Sequence, residues 1–217
     1  MNTMGSCCAS PAPDDGGPRY RLILWVALIS NAAMFAVELV ASWVSGSVAL
    51  QADALDFFGD AANYGITLFV LGMSLRARSY AALFKSFTMG LFGIWVLASA
   101  LYRLLSDTVP DAAVMGAIGL LALAVNVGVA VLLFRFRNGD ANARSIWLCS
   151  RNDAIGNIAV MLAASGVFAT GAGWPDVAVA AIIASLSLTA AVQVFCQART
   201  ELRSEGVPRS SVARVSP

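Results

Sequence analysis

The sequence predicts an all-α membrane protein of six transmembrane helices with both termini cytoplasmic, on three observations. The chain of 217 residues is 59% hydrophobic and only 12% charged, with a mean hydropathy of +0.74, which removes it from the range of soluble domains. A hydrocarbon core about 30 Å thick needs roughly 20 apolar residues per helix. Six such runs fall near 21–44, 47–73, 80–105, 111–134, 145–170 and 176–197. The cations then alternate between the two sides. Arg19 and Arg21 precede helix 1, Arg76 and Arg78 separate helices 2 and 3, Arg135, Arg137 and Arg144 separate helices 4 and 5, and Arg199 and Arg203 follow helix 6. Loops rich in Lys and Arg stay in the cytoplasm, and the opposite side offers only Arg103, beside Asp107 and Asp111.

Three regions follow: residues 1–18 as a disordered cytoplasmic tail, 19–198 as a six-helix transmembrane domain, and 199–217 as a cytoplasmic tail too short to fold alone. The head carries Gly, Ser, Pro and acids with no apolar core, and it lacks the basic start and cleavable apolar segment of a signal peptide. Cys7 and Cys8 with Asp14 and Asp15 form a soft-metal motif at most, and an unconstrained tail is the preferred reading. The four cysteines have no paired spacing, so no disulfide framework is expected.

Helix 1 places Asn31, Glu38, Ser42 and Ser45 on one face. Its serines fit close helix packing, whereas Glu38 is expected to face an aqueous cavity or a partner helix. Helix 2 is the most informative. Asp53, Asp56, Asp60 and Asn63 recur at steps of three and four, and Thr67 extends the stripe. A charge at the bilayer centre costs at least about 3 kcal/mol, so acids at that depth usually line an ion pathway. In helix 3, Lys85 is expected to snorkel to the interface. In helix 4, Asn126 serves either as interhelical glue or as pathway lining. Helix 5 repeats the i, i+4 geometry with Cys149-x-x-x-Asp153, followed by Asn157, and its Arg151 points elsewhere as an interface anchor or ion-pair partner. In helix 6, Cys196 is expected to be a small packing residue.

Those residues carry a resemblance. Glu38, Ser45-Gly46-Ser47, Ala49-Leu50 and Ala52-Asp53-Ala54-Leu55-Asp56-Phe57-Phe58-Gly59-Asp60 resemble helices 1 and 2 of the cation diffusion facilitator family, whose second helix carries His/Asp-x-x-x-Asp. The stretch from Asn142 to Asn157 resembles that family's helix 5, and Trp174-Pro175-Asp176 stands where the family begins helix 6. The resemblance covers the membrane domain and not the cytoplasmic domain that many members carry after helix 6.

The resemblance implies a transporter that binds one divalent transition-metal ion between helices 2 and 5 and exports it in exchange for protons, with no resident cofactor and no enzymatic activity. Its ligands would be Asp56, Asp60, Cys149 and Asp153. Glu38, Asp53, Asn63, Asn126 and Asn157 would line the pathway or support those ligands. Two i, i+4 pairs can form a tetrahedron, the preferred geometry of zinc, and a thiolate admits cadmium. Magnesium and calcium prefer six or more oxygens. Where the family has His this chain has Cys149, and it contains no histidine, so carboxylates and the thiol would carry the protons. Expected partners are divalent metal ions, protons and the lipid bilayer of a bacterial inner membrane, with a homodimer left open and no nucleic acid. The rival reading is a membrane metal sensor or assembly protein on the same fold that does not transport.

Overall fold

The computed structural model describes residues 18–69, 75–106, 108–134 and 141–205. They form six helices: α1 (Pro18–Ser45), α2 (Val48–Phe69), α3 (Leu75–Leu105), α4 (Ala112–Phe134), α5 (Ala141–Thr170) and α6 (Trp174–Glu205). No strand occurs among the described residues. Helix boundaries agree with the hydropathy runs to within a few residues except at α6, which continues into the polar segment expected to begin the C-terminal tail. The head at 1–17, with Cys7 and Cys8, and residues 206–217 lie outside the described residues.

Local chemistry explains the element ends. Pro18 stands at the start of α1, where its missing N–H would have no helical partner in any case. Helix α1 stops because Gly46 adopts φ 72°, a left-handed conformation that glycine takes without Cβ strain. A Cβ there would also lie 2.9 Å from a guanidinium nitrogen of Arg103. Asp111 caps α4, its Oδ1 accepting from the Ala113 amide at 2.9 Å and the Val114 amide at 3.2 Å. The Asp111 amide donates to the Ser45 carbonyl at 2.9 Å, tying the end of α1 to the start of α4.

Helix α2 is started by a carboxylate from another helix. Asp176, in the first turn of α6, accepts from the Val48 amide at 2.8 Å and the Ala49 amide at 3.0 Å. It also accepts from the Ser47 hydroxyl at 2.6 Å. Ser47 Oγ in turn accepts from the Leu50 amide at 3.1 Å. The orphan amide donors of α2 are thus satisfied by a side chain distant in sequence.

The helices close into a ring in the order α1, α2, α3, α6, α5, α4, with α2 leaning inward to touch α5 and α6. Contact is most extensive for α3 with α6, α4 with α5 and α1 with α2, and sparse between α2 and α5. Small residues permit close approach at the Asp176 end, where Ala49 and Ala52 pack with Ala163, Ala164, Ala180 and Ala184. Gly93 brings α3 against α6, since a Cβ there would fall 2.9 Å from Leu188 Cγ. Farther along, Phe35 packs on Phe58 and Phe92, with ring centroids 5.4 Å and 6.3 Å away. The outward faces are apolar, Ile29, Trp43, Leu91, Leu101, Phe168 and Ile182 among them.

Five of the helices are long and apolar enough to cross a membrane, and the chain is an integral membrane protein. The helix that does not qualify is α2, which carries Asp53, Asp56 and Asp60. Its place inside the ring explains how it tolerates them.

Candidate metal centre

The aspartate stripe of α2 divides among four neighbouring helices. Asp53 is buried beside Glu38 of α1, and Asn157 of α5 lies against it. With the Asn157 amide nitrogen turned toward Asp53, it donates to Oδ1 at 2.9 Å, and the Asn157 oxygen accepts from Asn126 Nδ2 of α4 at 2.8 Å. Asp56 accepts a hydrogen bond from Ser187 of α6. Asp60 lies against the Asp153 carboxyl of α5 and takes a long contact of 3.4 Å from the Tyr64 hydroxyl. Asn63 accepts from Lys85 of α3, whose ammonium also acts on Asp60 through its charge.

These groups differ in access. Glu38 and Asp53 are 0% and 3% exposed, while Asp56, Asp60 and Asp153 each keep partial exposure. Asp153 Oδ2 has no hydrogen-bond donor. Two acceptor-only carboxylates in contact need a proton or a cation between them. Asp60 and Asp153 therefore make a cation-seeking pair where α2 meets α5, and Asp56 lies one turn along α2. Among the described residues no three His, Cys, Asp or Glu side chains converge as a ready-made metal cluster. Cys149 lies one turn before Asp153 on α5, but its side chain is outside the described residues.

A family model for the cation efflux transmembrane domain matches residues 24–202. The chain belongs to this cation efflux family. It is also 24% identical over 197 residues to a cadmium, cobalt and zinc/H(+)-K(+) antiporter of Bacillus velezensis. That alignment covers 82% of the present chain and 61% of the relative.

Within this cation efflux domain, the structure sets Asp60 against Asp153 and joins several of the residues expected around them. Asn126, open between glue and pathway lining, bonds Asn157, a residue expected to line the pathway or support the ligands. Two expectations are corrected. Lys85 does not snorkel: it is 4% exposed and donates to Asn63 inside the bundle. An ammonium beside carboxylates is better satisfied there than by stretching past the apolar face of α3. Cys196 is exposed on α6 and is not a packing residue. The serines of α1 satisfy themselves within their own helix, Ser42 on the Leu39 carbonyl and Ser45 on the Ala41 carbonyl, each at 2.8 Å. Asn31 donates to the Ala27 carbonyl at 2.8 Å, while its Oδ1 is buried without a donor.

Ser187 and Tyr64 carried no sequence signal, because hydroxyl-bearing residues are common at helix interfaces. For Ser187 only a helical wheel of α6 phased on Asp176 could have helped, since the two lie eleven residues apart, about three turns.

Proposed function

We propose that this domain exports a divalent transition-metal ion, zinc first and cadmium second, through a site formed by Asp56 and Asp60 of α2 with Cys149 and Asp153 of α5, in exchange for protons. The observation that carries the reading is the meeting of the Asp60 and Asp153 carboxyls across the sparse α2–α5 interface. Those two residues are members of the two i, i+4 pairs, and each retains access. The name of the Bacillus velezensis relative, which couples metal movement to H(+) and K(+), supports metal-for-cation exchange. The working membrane is the cytoplasmic membrane of a bacterium, with both termini inside, and the protein acts as a transporter and not an enzyme.

The chain's residues divide the work. Four donors from two helices satisfy a tetrahedral ion, and the thiolate of Cys149 favours a thiophilic one. Ser187 holds one Asp56 oxygen, which fixes the carboxylate's orientation. Lys85, acting on Asp60, offsets negative charge while no metal is present. Metal entering this acidic region competes with protons held by its carboxyls, because added positive charge favours their deprotonated forms. Reopening toward the outside in contact with a higher proton concentration reverses the exchange, as expected of alternating access around a midplane site.

The test is uptake of zinc, cadmium, cobalt, nickel and manganese into proteoliposomes of purified protein, with and without an imposed pH gradient. Zinc and cadmium uptake stimulated by the gradient is expected. Binding of either ion without any transmembrane movement would favour a sensor or assembly protein.

A further inference from the structure

Glu38 is the most completely enclosed ionisable side chain of α1, at 0% exposure, and neither carboxyl oxygen has a hydrogen-bond donor. Its neighbour is another carboxyl, that of Asp53. Asp53 has its own donor, the Asn157 amide, which Asn126 supports in turn. The Asn126, Asn157, Asp53, Glu38 chain thus runs through four helices, α4, α5, α2 and α1, and ends on a carboxyl with no amide or hydroxyl left to offer it. Other ionisable groups facing this pair are Asp56 from α2 and Asp153 from α5, both acids. Helix α4 presents Asn126 there, and no cationic side chain acts on the pair among the described residues.

We propose that the Glu38–Asp53 carboxyl pair holds the counter-transported proton, at a place separate from the metal ligands. The inference rests on the metal/proton exchange proposed above and adds where the proton resides. Two abutting carboxyls with no donor between them require one shared positive charge. A proton fits this enclosure better than a metal ion does. Sodium or potassium needs several oxygens, two of the four carboxyl oxygens here are engaged by Asn157, and no open face remains for bound water. With its proton the pair carries one negative charge, and without it two. Asp53 lies three residues, one turn, before Asp56, so a divalent ion reaching Asp56 favours the doubly charged pair and expels the proton. Return of the proton from outside disfavours metal on Asp56. The asparagines hold Asp53 in place by hydrogen bonds that do not titrate, leaving Glu38 to accept and surrender the proton.

The experiment compares wild type with Glu38→Gln in proteoliposomes, reading zinc–zinc exchange, zinc uptake driven by a pH gradient, and proton movement from an entrapped pH dye. Glutamine imitates a permanently protonated Glu38, since its amide can donate to Asp53. The expected result is zinc–zinc exchange within about threefold of wild type, a change of less than one unit of log affinity, together with loss of both the gradient's stimulation and the zinc-coupled proton signal. Gradient-driven uptake equal to wild type overturns the assignment. So does a parallel loss of zinc–zinc exchange, which would place Glu38 in the metal site. Zinc uptake in wild type that depends on potassium and not on the pH gradient, with that dependence lost in Glu38→Gln, assigns the pair to a monovalent metal cation and overturns the proton. Should Glu38→Gln fail to give folded protein, Asp53→Asn carries the same expectations. Wild type that moves no zinc at all sinks the transport reading itself, whereas wild type that exchanges zinc without proton movement sinks only the coupling.

Discussion

Asp60 touches the most consequential neighbours of any residue in the bundle, the Asp153 carboxyl, the Tyr64 hydroxyl and the charge of Lys85. Asp60→Ala should abolish zinc binding measured by calorimetry in detergent while the protein still inserts, because removing a buried charge eases insertion. Wild-type affinity in that variant would dissolve the proposed site. Lys85→Met removes the one ammonium acting on Asp60 among the described residues, and zinc affinity should rise by up to about tenfold, about 1.4 kcal/mol. The melting temperature of the metal-free protein should fall, since the acids then lose a counter-charge. The proposed ligand role of Cys149 sets a test of metal preference: Cys149→His should move selectivity from cadmium toward zinc, and Cys149→Ser should weaken both, cadmium more. An unchanged cadmium-to-zinc ratio in both variants would remove the thiol from the site. The aspartates were legible in the sequence because acids are costly within an apolar run. Lys85 differs from its expectation because a lysine five residues into the hydropathy run 80–105 can reach the interface in principle, whereas α3 begins at Leu75 and the neighbouring helices reveal that the lysine turns inward.

At the scale of elements, the helices were legible because bilayer thickness fixes their length, whereas the roles of Gly46 in ending α1 and Asp111 in starting α4 emerge only from the structure. The partition of the α2 stripe was not. A helical wheel places Asp53, Asp56, Asp60 and Asn63 on one face, yet a face about 80° wide inside a ring meets several helices at once, and the four side chains part company. Nor could sequence spacing show that the cap of α2 comes from Asp176, more than a hundred residues away. Asp176→Asn keeps the shape but replaces one carboxylate oxygen with a donor aimed at other donors. The cost should be about 1–3 kcal/mol, the range for a buried group left unsatisfied. A lower melting temperature with zinc affinity unchanged is expected. Loss of zinc affinity without loss of stability would contradict a purely structural role for the cap.

Over the whole molecule, the ring order puts α2 inside and leaves the lipid-facing surface to apolar residues, which is how a chain with a buried acid stripe remains an integral membrane protein. Six crossings would return the chain to the side on which it began. Single cysteines introduced at Arg19 and Arg199, in a background with the native cysteines replaced, should react with impermeant maleimide only from the cytoplasmic face. Reaction from opposite faces would mean that one helix, α2 first among them, does not cross. The Asp176 clasp has a mechanical meaning at this scale. It fastens one end of α2 to α6, so a change in the tilt of α2 swings about that end as about a fulcrum. Asp60 sits about 18 Å along the lever at 1.5 Å per residue, and a swing of about 10° would carry it roughly 3 Å. That displacement exceeds a zinc–oxygen bond of about 2 Å. A small rotation at an anchored end would therefore be enough to make or break coordination across the thin seam between α2 and α5.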